Sequence, residues 1–515
     1  MRLSAAVGAA RDWLYPSNAD ICDFRRFDED LKRMRYLPVG AFLFGFAVYA
    51  PLALQRSAWG DDFPLLNNPR HVIDISVDDG RPVLALVNWL ILGSVETIGG
   101  LVFPRILGVV GIAFFLAYLT RLLQGLGWSP MSALLVACSS GLLPPFHEYV
   151  GWATVFSHPW VMLLGAWTGL TWVDAIRSRR WPGALLSFFG FLVALLTYPP
   201  AAMFCWAALG IRLVSQSSPA RRSVANLCTM GFLVATAGTA SLVVGRIAMI
   251  VLNVEPAARF QIVDSFSELG QKLLWFSTHP PAVAARLFLI GSPSGLATLL
   301  TAGPVLLVIV GGLFLRYEGS PSRRLVSLVV LALPVALTMS VHLISTDNQI
   351  EYRFMGGIIV LVWVYLLTAV RGAWEGLASQ KPQLFQYRCV GNVALLVVVG
   401  GGVAMAITNI NQVFIEPSRI KERYLVEQLS DFDYERHLRI VVIEPSDGWP
   451  SRDNLGIYSA RTDLAQPWVL EPNIRQLLVE HHGPHRRSPV AIVRAPIEPK
   501  VDDFELDLRP LKRLL

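Results

Sequence analysis

The chain has 515 residues, 53% apolar and 16% charged, with a formal net charge of +6 and a mean hydropathy of +0.48. Soluble globular chains carry about 25% charged residues, so the composition excludes an ordinary soluble domain and points to repeated membrane spans. The positive balance does not mark a nucleic-acid binder: the arginines fall in short clusters between apolar segments, and no basic-aromatic patch accompanies them.

Residues 1–35 are polar and arginine-bearing and show no cleavable signal pattern, so the first span is expected to act as an uncleaved anchor. Eleven apolar segments follow: Tyr36–Leu54, Leu101–Leu123, Met131–Phe146, Pro159–Ile176, Gly183–Tyr198, Ala201–Val214, Val224–Leu252, Leu296–Leu315, Leu325–Ile344, Phe354–Val370 and Val390–Ile410. A further stretch, Val83–Ile98, is only marginally long enough to cross. Arg25, Arg26, Lys32, Arg33 and Arg35 place the N-terminus in the cytoplasm by the positive-inside rule. If Val83–Ile98 stays on the outer side, Arg121, Arg177, Arg179, Arg180, Arg221, Arg222, Arg323, Arg324, Lys381 and Arg388 all face the cytoplasm; if it crosses, all face outward. The charge bias therefore predicts an interfacial or re-entrant helix within a first outer loop, residues 55–100.

The same rule leaves the C-terminus outside. Beyond Ile410 the composition turns polar, with strand-like runs at Leu438–Ile443 and Val490–Val493 and an amphipathic helix over Ser418–Leu429. These predict a small α/β periplasmic domain over residues 411–515, after an all-α polytopic membrane domain over residues 36–410 and a cytoplasmic segment over residues 1–35. The expected location is a bacterial inner membrane. Cys22, Cys138, Cys205, Cys228 and Cys389 form no CxxC pair, which weighs against a disulfide framework or a zinc site.

The candidate chemistry concentrates in the outer loops. The first holds Asp61, Asp62, Asp74, Asp78 and Asp79 with Arg70, His71 and Arg81. Adjacent carboxylates beside a membrane are costly to keep ionised unless they meet cations or a metal. Two neighbouring acids can also divide the work, one taking a proton from a nucleophilic hydroxyl and the other binding substrate or orienting the first. Arg81, next to Pro82, is placed to meet a phosphate at headgroup depth, where a guanidinium binds two oxygens at once. Arg353 and Arg246 are further candidates for that phosphate, and Asp79, His147, Glu148, His158 and Glu351 for substrate contacts. Alternatively these residues are helix caps, interfacial anchors and belt turns. The chain lacks HExxH, GxSxG, Walker A and dinucleotide fingerprints, which weighs against a zinc protease, a serine hydrolase and an ATP-driven pump.

Trp59-Gly60-Asp61-Asp62 directly after the first span, Asp79-Gly80-Arg81-Pro82 about 17 residues later, and the many-span layout resemble the GT-C-fold glycosyltransferases, most closely the bacterial serotype-converting O-antigen glucosyltransferases. The layout covers the first 410 residues, the motifs only about 25. The resemblance implies a GT-C-like fold, a donor sugar (glucose) on a polyprenyl phosphate carrier, a glycan acceptor such as lipopolysaccharide O-antigen, and a catalytic base at Asp61 or Asp62. The residues do not decide between the two. An acidic site accommodates a divalent metal, but arginines alone can handle a phosphomonoester-linked donor. The non-enzymatic alternatives are a flippase for a lipid-linked glycan, for which internal repeats and midplane polar residues are not detected, and a glycan-binding scaffold using the C-terminal domain.

Overall fold

In hydrocarbon every backbone polar group must be satisfied within its own segment, so apolar runs of this length become helices. The computed structural model of the chain describes residues 36–511, except 217–219, 258–262, 291–294, 318, 347, 349, 381–388, 435, 438, 446–466, 483–490 and 495–502. The segment expected in the cytoplasm, residues 1–35, lies outside the described residues, as do Lys381, Arg388 and Arg259.

The chain is mostly helical. The first loop and its flanks comprise α1 (Leu37–Ala53), α2 (Asp62–Asn67), α3 (Pro69–Asp78), α4 (Pro82–Leu92) and α5 (Val102–Gly125). Next come α6 (Pro130–Ser140), α7 (Pro144–Gly151), α8 (His158–Arg177), α9 (Trp181–Thr197), α10 (Pro199–Ala202), α11 (Phe204–Gln216) and α12 (Ala220–Leu252). Then follow α13 (Phe266–Thr278), α14 (Pro280–Ala285), α15 (Gly295–Arg316), α16 (Pro321–Leu337), α17 (Ser340–Ile344), α18 (Gly356–Gln380) and α19 (Cys389–Ile410). Proline recurs in the first turn, as at Pro69, Pro82, Pro130 and Pro321, where its missing N–H costs nothing.

Among the described residues four stretches are long and apolar enough to cross a membrane: Gly99–Gly125, Ala220–Leu252, Gly356–Gly376 and Gly391–Leu429. That is fewer than the eleven segments expected. Several of those segments break. Met131–Phe146 divides at Gly141 to Leu143, ahead of Pro144-Pro145, and Leu325–Ile344 divides at Thr338-Met339, past Pro334. Others are short: α1 has 17 residues, or about 26 Å, against a hydrocarbon core of about 30 Å. Where helices cross, small residues let backbones meet: a β-carbon on Gly312 would stand 2.4 Å from the Ala369 carbonyl oxygen, and one on Gly165 would stand 2.5 Å from that of Ala202.

The stretch Val83–Ile98 is not one helix. It is helical only to Leu92, and a 3-10 turn, Gly99–Leu101, leads into α5. The 11 residues of α4 reach about 16 Å, roughly half a bilayer core. Leu86, Trp89 and Leu90 are exposed on one face, while Leu84, Ala85, Asn88 and Leu92 are buried on the other.

No linker separates residues 410 and 411. Helix α19 continues through a π-helical turn, Asn411–Ile415, into α20 (Glu416–Leu429). Beyond it lie β1 (Arg439–Ile443), α21 (Pro467–His482), β2 (Ala491–Arg494) and β3 (Asp503–Asp507), the strands forming a parallel sheet in the order β2-β1-β3. Leu438 and Val490, which the sequence places at strand starts, fall outside the described residues. The central strand buries Ile440, Val441 and Val442, as a strand covered on both faces must. This C-terminal part shares one apolar core with the first loop: Phe63, Leu65 and Leu66 of α2 pack with Leu425, Leu470 and Leu477.

Candidate active site

The first loop turns at Trp59-Gly60-Asp61-Asp62. Gly60 takes φ +47°, and a β-carbon there would press to 3.2 Å from the Trp152 ring. Only glycine meets both demands without strain. The turn closes when the Asp62 N–H donates to the Trp59 carbonyl at 2.9 Å. The Asp62 side chain answers: Oδ2 accepts from the Trp59 N–H at 2.9 Å and from the Ala153 N–H at 3.4 Å, and Oδ1 accepts from the Thr154 N–H at 3.1 Å. Asp62 is fully buried. Burial pushes its carboxyl up to about 7, against the Trp59 N–H, the Arg105 charge and the Thr154 and Ala153 N–H groups, which all favour the carboxylate.

Arg105, at the start of α5, anchors the same turn from below. It donates to the Gln55 carbonyl at 2.6 Å, the Leu101 carbonyl at 3.3 Å and the Ser57 hydroxyl. Asp61 has the opposite setting. It is exposed, heads α2, and makes no capping bond of its own to that helix.

A second group assembles from distant segments. Gly80 takes φ +72° and lies so close to α12 that a β-carbon on Gly245 would stand 3.1 Å from the Gly80 backbone. This turn presents Arg81, which pairs with Asp79 at 3.4 Å and lies 4.8 Å over the Tyr198 ring. Tyr198 in turn stacks with Phe354 at 6.2 Å and touches the His158 ring at 3.7 Å. Arg353, in a 3-10 turn before α18, sits 4.7 Å over Trp152 and 4.8 Å over Phe354, and pairs with Glu351 at 2.5 Å. The Arg353 backbone N–H donates to Glu148 at 2.8 Å, and the Tyr149 hydroxyl donates to the Arg353 carbonyl at 3.0 Å.

The electrostatics tie the two groups together. Burial works to discharge Arg353, but nearby acids, Glu351 foremost and Asp61 among them, hold it charged beyond the ordinary range. Asp61 is thus one of the anions whose field reaches Arg353. Burial pushes Glu148 up to about 8, with Arg353 opposing and Glu351 adding to the rise. Glu148 Oε1, the Trp152 indole N–H, Arg81 Nε and His342 Nε2 are buried and lack a hydrogen-bond partner among the described residues. Buried polar atoms are normally paired. Four orphans around one aromatic and cationic cluster fit a polar ligand.

Of the sequence candidates, Arg81, Asp79, Glu148, His158, Glu351 and Arg353 converge here. His147 does not: its ring bonds the Leu142 carbonyl at 3.0 Å, and burial lowers it to about 4, so it braces the break between α6 and α7. Arg246 is exposed on α12 beside the Gly245 contact and is not among the cluster's contacts. Asp74 and Arg70 are exposed on α3. Two participants, Arg105 and His342, escaped sequence reasoning. Arg105 had a signal, a charge inside an apolar segment. His342, whose ring lies 4.9 Å from Phe354, had none; Lys272, which the sequence places in a long outer loop over residues 253–284, is buried on α13, and the charges of Lys272, Arg81 and Arg353 all reach that ring. Among the described residues no three His, Cys, Asp or Glu side chains group as metal ligands would. No known protein family and no curated protein matches the chain.

Proposed function

We propose that the chain is an inverting GT-C-like hexosyltransferase of the bacterial inner membrane, working on the periplasmic face. The observation that carries the reading is the division of labour between adjacent acids. Asp62 is consumed in holding the turn, while Asp61 is exposed within the field of Arg353. The topology belonging to this reading has eleven crossings, the N-terminus in the cytoplasm, and α4 lying in the outer interface.

The donor is a hexose, glucose by the resemblance, on a polyprenyl monophosphate. Asp61 takes the proton of an acceptor glycan hydroxyl as its oxygen attacks the anomeric carbon. The bond from that carbon to the phosphate oxygen breaks, its electron pair leaves with the phosphate, and the anomeric centre inverts. Arg81 and Arg353 stabilise the charge growing on the departing phosphate, with no metal needed for this step. Planar guanidinium groups suit that task because they meet two phosphate oxygens together. Glu351 and Glu148 fix Arg353; Asp79 fixes Arg81.

The test is transfer by the purified chain in nanodiscs, where no second compartment exists and lipid flipping cannot register. Supplied with undecaprenyl-phosphate glucose and lipid-linked O-antigen, it should release undecaprenyl phosphate and form a glycosidic bond of inverted configuration. A chain that leaves both carrier and glycan unchanged, yet moves the labelled lipid between leaflets of liposomes, would be a flippase.

A further inference from the structure

Helix α13 is built inside out. It starts at Phe266 because Ser265 accepts the Glu268 N–H at 3.2 Å, while Glu268 reaches back to the Asp264 N–H at 3.4 Å, one residue before the cap. Along it, Phe266 is 95% exposed, Leu269 40%, Leu273 53% and Leu274 66%, while Lys272 is 4% exposed. At 100° per residue the four apolar side chains share one face, and Lys272 lies on the inward side with the half-buried Trp275 and Phe276. In water an amphipathic helix does the reverse. An apolar face turned outward over a buried lysine needs a non-aqueous medium against it.

The neighbouring chain says which medium. Helix α13 follows α12, whose length and composition suffice to cross a membrane and whose last turns expose Ile247, Ile250, Val251 and Leu252. Only residues 253–265 separate that lipid-suited surface from Phe266. Two of the segment's described residues are pinned: the Ala257 N–H donates to the Asp78 carbonyl at 3.1 Å, and the Val263 N–H to the Ile344 carbonyl at 2.8 Å. The 13 residues of α13 reach about 20 Å, too short to span.

We propose that α13 is a second interfacial helix, lying along the bilayer with Phe266, Leu269, Leu273 and Leu274 in the hydrocarbon and Lys272 turned toward the cluster of Arg81 and Arg353. With α4, which exposes Leu86, Trp89 and Leu90 just beyond Arg81, it frames the cations from the lipid side. The occupant of the outward face is bulk bilayer. The inference rests on the membrane reading alone and not on the transferase chemistry.

Spin labels test it without turnover. In a chain with its native cysteines replaced by alanine, nitroxides at Leu269→Cys, Leu273→Cys and Gln271→Cys are read in nanodiscs of phosphatidylethanolamine and phosphatidylglycerol. Labels at Leu269 and Leu273 should collide more with oxygen than with a water-soluble nickel chelate, and the label at Gln271 should show the opposite order. Equal preference for the nickel chelate at all three sites would overturn the proposal, as would shielding from both reagents, the sign of a protein partner or second copy. Benzoyl-phenylalanine at Leu273, in a chain retaining its cysteines, gives a second reading: phospholipid adducts support the proposal, and protein adducts alone refute it.

Discussion

The Asp62 carboxylate accepts a hydrogen bond from the backbone N–H of Thr154 at 3.1 Å, joining positions 92 residues apart. With the Trp59 and Ala153 N–H groups on its other oxygen, it fastens the first loop to the turn that follows α7. Asp61, one residue earlier, takes no part in this and stays exposed.

An Asp62→Asn change would therefore be felt first as lost order. Once ionised, above about pH 7, both carboxylate oxygens accept from backbone N–H groups, whereas the amide must set its own N–H against a donor. Leaving buried donors unmatched costs about 1–3 kcal/mol. Thermal unfolding in nanodiscs should show a lower midpoint for Asp62→Asn, and proteolysis should open the segment from residues 57 to 68 faster. Asp61→Asn, at an exposed side chain, should change both by less.

Two buried acids make stability depend on pH. Burial, the largest influence, holds Asp62 up to about 7 and Glu148 up to about 8. Folded, each keeps its proton in a range where the unfolded chain has released it. The unfolded state then binds fewer protons, so stability falls as pH rises from the ordinary carboxylate range to those values, and levels off above them. The slope is about 1.4 kcal/mol per pH unit for each group in that window. Glu148→Gln should flatten the decline between about pH 5 and pH 8, measured as unfolding midpoint against pH; a slope equal to the parent's would remove Glu148 as its source.

The grip of the C-terminal part on the first loop predicts an unequal pair of variants. Arg56 pairs with Glu422 at 2.7 Å and Glu480 at 2.5 Å, but its side chain is 48% exposed. Exposed ion pairs contribute about 0–1 kcal/mol, so Arg56→Ala should shift unfolding little. Glu480 also accepts from the Ile98 N–H at 2.7 Å and from Gln476 at 2.9 Å. Glu480→Ala strands these donors and should cost about 1–3 kcal/mol. Truncation after Ile410 should cost more than either and abolish transfer, because it uncovers Phe63, Leu65 and Leu66.

Arg353→Lys tests the shape of the cation rather than its charge. The guanidinium lies between Trp152 and Phe354, a stacking that an ammonium group cannot reproduce. Weaker donor binding by about tenfold, or about 1.4 kcal/mol, should appear as a raised KM for the polyprenyl-phosphate hexose. Arg246→Lys, on the exposed face of α12, should leave KM unchanged.

Local signals were the most legible in the residues. The break between Val83 and Ile98 was hidden because Gly93 and Ser94 interrupt an apolar run without changing its mean hydropathy. Strand β3 was missed because Asp503, Glu505 and Asp507 alternate with Phe504 and Leu506, and acids are poor strand formers. At Ile410 the shift from apolar to polar residues falls within one continuous helix, which composition alone does not show. Arg81 and Arg353 were found one at a time from their neighbours in sequence. Their shared aromatic floor of Tyr198 and Phe354, and the buried Lys272, arise only from tertiary contact.

Single-turnover transfer by Asp61→Asn bears on the base most directly, measured in nanodiscs with undecaprenyl-phosphate glucose and O-antigen acceptor, on protein whose unfolding midpoint equals the parent's. A positioned general base contributes about 100- to 10,000-fold, so the predicted result is a rate lower by at least about 100-fold with donor binding retained. Transfer at the parent's rate by that well-folded variant would contradict the assignment of Asp61.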